Sequence, residues 1–225
     1  AGLSNKGSGE KKLELDRRRI EDKLTDLKRE LEELAKDREI QRKKREESDI
    51  PLVSLVGYTN AGKSSLMNYM IDRFVKDEDK KVLEEDMLFA TLETSVRKIE
   101  LEDNRKFLLS DTVGFISELP HDLVKAFRST LEEIKNADLL LQVVDYSDPD
   151  FYNQMQVTKE TLEKIGASDI PVIYVYNKSE LMLDKLPLVD ENEIYLSIKE
   201  GKGMDELLDM VIDKINRTVT VQNLP

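Results

Sequence analysis

Apolar positions along this chain follow two regimes, and the change falls near Pro51. Before it, Leu13, Ile20, Leu24, Leu27, Leu31 and Leu34 recur at spacings of seven, four, three, four and three. That rhythm predicts a long, coiled-coil-like helix with a narrow apolar seam, of the kind that pairs with another helix. No Gly or Pro interrupts the stretch between Gly9 and Pro51. Its other positions are densely charged, with i,i+4 pairs such as Glu14–Arg18. One helix cannot bury such a seam alone. It is expected to pack on the remaining chain, on a second copy, or on a part of a longer parent protein.

After Pro51 short apolar runs alternate with amphipathic segments. Pro51–Val56 reads as an apolar strand, Lys63–Arg73 as a helix, and 76–93 as a polar, irregular segment suited to be mobile. Ser95–Leu101 and Arg105–Ser110 alternate around Glu102-Asp-Asn-Arg105 and predict a hairpin. Pro120–Lys135 reads as a helix with Pro120 in its first turn. Leu139–Val144 is a buried strand ending at Asp145, and Asp150–Ile165 a helix closed by Gly166. Ile170–Tyr176 and Ile194–Ser197 read as strands, Ser179–Leu183 as a short helix, and Gly203–Ile215 as the last amphipathic helix. Such alternation predicts an α/β fold, a mostly parallel sheet with helices on both faces. The expected organisation is a partial helical subdomain at 1–49, an α/β domain at 50–216 and a tail at 217–225.

Composition narrows this only slightly. The 225 residues can hold one domain of about 150–170 residues plus an appendage. Without cysteine there is no disulfide framework, which fits a reducing cytoplasm. No apolar run approaches the ~20 residues needed to span a bilayer, and no signal-peptide pattern opens the chain. The net charge of −12 is uneven: residues 1–49 carry 15 basic against 14 acidic side chains, the remainder 20 against 33. An acidic second part argues against general nucleic-acid affinity but leaves room for a local patch on RNA. The cluster Arg38, Arg42, Lys43, Lys44 and Arg45 could touch phosphate, or could simply complement a helix C-terminus.

The chemistry concentrates at strand ends. Gly57-Tyr-Thr-Asn60-Ala61-Gly62-Lys63-Ser64 is a complete G-x-x-x-x-G-K-[ST] phosphate loop placed between a strand and a helix. Its backbone N–H groups are suited to a nucleotide β-phosphate, Lys63 to the β/γ oxygens and the Ser64 hydroxyl to Mg²⁺. Downstream, Leu108-Leu-Ser-Asp111-Thr-Val-Gly114 ends a strand in an aspartate suited to hold Mg²⁺ through water. Gly114 can let its N–H approach a γ-phosphate. Ile170–Glu180 then delivers Asn177, Lys178 and Glu180 at a C-terminal strand edge, where open α/β sheets bind ligands. Ile194-Tyr-Leu-Ser197 ends in a small hydroxyl. Four strand ends with phosphate, magnesium and base-binding chemistry in this order imply a nucleotide-hydrolysing switch domain.

Several separated motifs also carry a family likeness. They are Gly57-Tyr-Thr-Asn-Ala-Gly-Lys-Ser-Ser65, Leu88-Phe-Ala-Thr-Leu92, Asp111-Thr-Val-Gly-Phe-Ile116, Leu119-Pro-His121 and Ala126-Phe-Arg-Ser-Thr-Leu-Glu-Glu133. Together they resemble the HflX family of translational GTPases. Gly7-Ser-Gly-Glu-Lys-Lys-Leu-Glu-Leu-Asp-Arg-Arg-Arg19 is similar to the glycine-containing start of that family's helical subdomain. The resemblance implies a P-loop G domain that binds GTP/GDP with Mg²⁺, engages the large ribosomal subunit as a monomer, and helps rescue or split stalled ribosomes. It also implies a missing α/β subdomain and half a helical hairpin, so the chain reads as a fragment. By the same likeness Thr91 is the first-switch threonine that reaches Mg²⁺, a choice over Thr94 that the residues alone do not make. Asp111 and Gly114 match the second switch, Asn177 and Lys178 the guanine motif, and Ser197 its supporting loop.

Two departures stand out. Glu180 replaces the usual Asp of the guanine motif, keeping both acceptor oxygens but adding a methylene. Reduced affinity with retained guanine preference is the expectation. Phe115 stands where many such switches carry a water-orienting Gln, which predicts slow intrinsic hydrolysis. Asn60 resembles the loop Asn of GTPases stimulated by K⁺, although an Asn that merely shapes the loop explains it equally well. His121 reads as a helix-start contact rather than a base. The leading expectation is a ribosome-activated GTPase with Lys63, Asn60, Thr91 and Gly114 in the catalytic machinery. The alternative is a nucleotide-gated binding module with incidental turnover.

Overall fold

The computed structural model describes residues 50–75, 95–101, 103–112, 114 and 134–222. The chain divides into two compact units, residues 1–49 and 50–225, and all the described residues lie in the second. The predicted long helix with its basic cluster, the segment 76–93, Thr91, Phe115, His121 and most of the helix predicted at Pro120–Lys135 lie outside the described residues.

Strand β1 (Leu52–Val56) leads through the glycine loop into α1 (Lys63–Phe74). Strands β2 (Ser95–Glu100) and β3 (Lys106–Asp111) follow, then β4 (Leu139–Asp145) and α2 (Phe151–Ile165). Beyond them come β5 (Val172–Asn177), a single 3₁₀ turn at Ser179–Leu181, β6 (Leu188–Val189), β7 (Glu193–Tyr195) and α3 (Met204–Gln222). The seven strands form one sheet in the order β2-β3-β1-β4-β5-β7-β6. Pairing is parallel from β3 through β7, and the outer pairs β2–β3 and β6–β7 are antiparallel.

Period-two alternation divides each inner strand between two cores. Val53, Leu55, Leu109, Leu141, Val143, Ile173, Val175 and Ile194 point to one face. There they meet Leu66, Met67, Met70 and Ile71 of α1 and Leu207, Leu208, Val211 and Ile212 of α3. Leu52, Val56 and Leu140 point to the other face, with Leu162 of α2 and Ile134. All five residues of β1 are buried, as expected for a central strand covered on both sides. Helices cover both faces as expected, α1 and α3 on one and α2 on the other.

Boundaries differ in instructive ways. Strand β5 begins at Val172 rather than Ile170, because Pro171 has no N–H to give a ladder; its carbonyl accepts Leu140 N–H at 2.9 Å instead. Helix α2 matches its prediction, and Gly166 closes it with φ +72°. Helix α3 continues through Gln222, beyond the end predicted at Ile215 and across residues read as tail. The predicted helix at Ser179–Leu183 shrinks to the 3₁₀ turn, and β6 has no counterpart in the sequence reading.

Candidate functional site

The phosphate loop is held in a shape that few other residues could adopt. Gly57 leaves β1 with φ +137°, and a Cβ there would lie 2.2 Å from the carbonyl oxygen of Val143 on neighbouring β4. Backbone conformation and close strand approach both require glycine at this position. Asn60 is exposed and also left-handed, at φ +60°, a region Asn tolerates better than most residues. Gly62 (φ +104°) is the N-cap of α1. It supplies no side-chain cap, and the first turn of α1 carries no acid. The positive end of α1 is therefore left to whatever anion sits in the loop.

Lys63, 6 % exposed, donates its ammonium to the carbonyls of Gly57 at 3.2 Å and Tyr58 at 2.8 Å. Burial lowers its pKa to about 8, and the charge of Asp111 opposes that shift. Ser64 Oγ donates to Asp111 Oδ2 at 2.9 Å, joining the start of α1 to the end of β3. Ser65 continues the same first turn, half-buried. Next to Asp111, Thr112 Oγ1 donates to Leu55 O at 2.6 Å and ties the end of β3 to β1. A Cβ on Gly114 would lie 2.8 Å from Thr59 Cγ2 and 3.0 Å from Lys63 Nζ, so this glycine lies directly against the loop and its lysine. The structure thus brings Lys63 and Ser64 together with Asp111 and Gly114, from 47 positions (Ser64 to Asp111) to 51 positions (Lys63 to Gly114) further along the chain.

A second group gathers beside the loop. Asn177 ends β5 and is 5 % exposed. Its Nδ2 donates to Ala61 O at 3.0 Å, and its Oδ1 accepts Ile198 N–H at 3.2 Å. Lys178, left-handed at φ +59°, caps the 3₁₀ turn that carries Glu180. Glu180 Oε2 is buried with no hydrogen-bond partner among the described residues. A buried acceptor without a donor suits a ligand edge rich in N–H groups. Ser197 is fully buried; its backbone pairs with Lys202 and its Oγ accepts Glu200 N–H at 3.1 Å, which shapes the loop behind Asn177.

Two features went unread in the sequence. Asn177 was expected to face a base, yet its amide also clamps the phosphate loop across 116 positions. Asp145 was noted only as a strand end, yet it carries the ion pair of Lys178. The register partner of Asp145 on β5 is Asn177, which would have pointed to it had the strand order been known.

The oxygen set of Ser64 and Asp111 fits Mg²⁺, a hard cation that takes one or two protein oxygens and completes its shell with phosphates and water. No group of three or more acidic, His or Cys side chains assembles among the described residues. No helix among the described residues is long and apolar enough to cross a membrane.

A strand, glycine loop and helix at the centre of this sheet order, with Asn177-Lys178 at the end of β5 two strands away, define a P-loop NTPase of the G-domain class. Residues 52–178 match the family described as 50S ribosome-binding GTPase, and residues 1–45 match the GTP-binding GTPase middle region. The chain belongs to the HflX family of these GTPases. It is 46 % identical over 210 residues to GTPase HflX of Caldanaerobacter subterraneus subsp. tengcongensis, covering 93 % of this chain and 47 % of that protein. It is 38 % identical over 229 residues to GTPase HflX of Escherichia coli K12, covering 99 % and 52 %. The chain therefore spans about half the length of the curated relatives it matches. Among solved structures it resembles a GTP-binding protein from the archaeon Sulfolobus solfataricus in complex with GDP. That likeness has a TM-score of 0.56 and 26 % identity, over 87 % of this chain and 65 % of the other.

Proposed function

We propose that this chain binds GTP with Mg²⁺, hydrolyses it slowly to GDP and phosphate, and is stimulated by docking on the large ribosomal subunit. The observation that carries the nucleotide reading is the Asn177–Ala61 hydrogen bond. It joins a phosphate-suited loop to a base-suited strand end at a fixed separation. In this reading Gly57, Asn60, Ala61, Gly62 and Ser65 cradle the phosphates through backbone N–H groups. Lys63 leaves the loop carbonyls for the β/γ oxygens, and Glu180 accepts from the guanine N1–H and N2–H. Lys178 and Ser197 support the base.

Mg²⁺ bound at Ser64 and Asp111, with Thr91 joining in the GTP state, would neutralise charge on the β- and γ-phosphate oxygens. Hydrolysis forms a bond from the attacking water oxygen to the γ-phosphorus and breaks the bond to the β,γ-bridging oxygen. GDP leaves, and the water's proton passes to phosphate or solvent. The Gly114 N–H and the Lys63 ammonium stabilise the charge that spreads over the γ-oxygens. With Phe115 where a water-orienting amide is common, intrinsic turnover is slow. Asn60 would hold a K⁺ ion, which would supply part of the remaining charge stabilisation, and contacts made on the ribosome would supply the rest. The match of residues 52–178 to the 50S ribosome-binding GTPase family supports the ribosomal partner. We extend the reading to cytoplasmic rescue or splitting of stalled ribosomes by the longer parent protein, acting as a monomer.

The test is GTP turnover in potassium buffer with and without purified large ribosomal subunits. A rise of at least tenfold is expected. Unchanged turnover together with tighter subunit binding in the GTP state would instead identify a nucleotide-gated binding module. Absence of guanine-nucleotide binding would overturn the reading altogether.

A further inference from the structure

Asp145 lies outside the phosphate loop and outside the Asn177-Lys178-Ser179-Glu180 segment, yet its carboxylate is fully committed at their border. It is the last residue of β4 and pairs in register with Asn177, the last residue of β5. Its Oδ1 accepts two hydrogen bonds from one residue, from Ser147 N–H at 3.1 Å and from Ser147 Oγ at 2.6 Å. Its Oδ2 accepts the Lys178 ammonium at 2.5 Å. The Asp145 side chain is 15 % exposed and that of Lys178 37 %, so the pair is sheltered at the carboxylate and open at the ammonium. The backbone tightens the same corner, because Tyr146 N–H donates to Asn177 O at 2.9 Å.

The geometry matters for what Lys178 can do. Its left-handed φ of +59° starts the 3₁₀ turn that carries Glu180, so Lys178 stands in the chain between the amide bracing the loop and the acid suited to the base. A free lysine carries about 2 kcal/mol of rotamer entropy. One locked by a charge-assisted bond, to a carboxylate itself locked by two donors, has lost that freedom before any ligand arrives.

We propose that Asp145 is a positioning residue for guanine nucleotides: through its ion pair it holds Lys178 as a preformed wall of the base pocket, with Ser147 as the latch that aims the carboxylate. This rests on the guanine-nucleotide reading of the site, and it predicts an effect confined to the base half of the ligand. The Asp145→Asn side chain keeps the acceptor for Ser147 and the shape of the corner but loses the charge that holds Lys178.

The experiment measures GDP and inorganic pyrophosphate affinity by titration calorimetry on the whole chain. The variants are Asp145→Asn, Lys178→Met, the double variant and Ser147→Ala, with thermal melts of each. Asp145→Asn is expected to weaken GDP about tenfold while leaving pyrophosphate within twofold, and Ser147→Ala to weaken GDP two- to threefold. In the Lys178→Met background Asp145→Asn should have no further effect on GDP. Equal, additive losses in the two backgrounds would overturn the proposal, as would a loss that falls on pyrophosphate as much as on GDP. If Asp145→Asn melts too low to titrate, the Ser147→Ala ratio of GDP to pyrophosphate decides alone. Failure of the unaltered chain to bind GDP would strike the guanine reading instead, which keeps the two failures apart.

Discussion

Removing the Asn177 side chain should uncouple the two halves of the candidate site, and its cost can be worked from the bonds it makes. Asn177→Ala deletes a donor to Ala61 O at 3.0 Å and an acceptor for Ile198 N–H at 3.2 Å. Both partner residues are buried, Ala61 at 0 % and Ile198 at 7 % exposure. Each stranded partner costs about 1–3 kcal/mol when water cannot replace the lost contact. Partial hydration at a site open to ligand puts the sum near the lower end, about 2–4 kcal/mol. For a chain of this size each kcal/mol moves the melting midpoint by about 2–4 °C, so a fall of roughly 4–16 °C is expected. GDP should weaken further, by about 10–100-fold, since the loop is no longer held in register with the base edge. Asn177→Asp is the sharper control. It keeps an acceptor for Ile198 but sets an oxygen against Ala61 O, and should be at least as damaging as alanine. Calorimetric melts and GDP titrations on all three proteins read both quantities. A midpoint within about 1 °C of the natural chain and an affinity within about twofold would refute the brace.

Other outcomes follow from the same geometry. Burial holds Lys63 near a pKa of 8 without ligand, and nearby phosphate oxyanions would raise it. GDP binding at pH 8 should thus take up about half a proton, seen as a buffer-dependent binding heat, and affinity should fall about tenfold from pH 7 to pH 9. In the ligand-free chain the sign is opposite, because the unfolded lysine binds its proton more tightly than the folded one. This group's contribution to stability should therefore rise as pH climbs from about 8 towards 10.5. Glu180→Asp should strengthen GDP binding by about 1–3 kcal/mol by shortening the reach to the base; equal affinities would show that the added methylene is harmless. GTP turnover in K⁺ should exceed turnover in Na⁺ and lose that excess in Asn60→Ala, and identical rates in the two salts would remove the cation from the mechanism.

What was readable in the sequence is what local chemistry dictates. Gly57 and Gly62 announce a loop because positive φ and close approach leave no other residue, and both positions show those constraints. The unbroken apolar runs of β1, β4 and β5 announce buried parallel strands because both faces are covered. Contacts between distant segments left no such mark. Nothing near Asn177 says that its amide will meet Ala61, and nothing near Asp145 names Lys178, 33 positions on. Helix α3 outran its prediction because Thr218-Val-Thr-Val221 favours strand by local propensity, whereas a helix already nucleated extends at little further cost. Strand β6 is two residues long, below the span over which alternation can be recognised.

Those two residues have a further consequence for how the molecule behaves in a crowded solution. An open sheet ends in two rows of backbone groups that can recruit a neighbour's strand. Here one border, β6, exposes Leu188 and Val189, apolar enough to be adhesive but too short to template more than a token ladder. The opposite border, β2, is six residues long but studded with Arg97, Lys98 and Glu100, so an incoming strand meets charge. Brevity guards the sticky margin and charge guards the long one. Among the described residues neither border is paired further, so these two devices are what oppose fibrous association at the margins of this sheet.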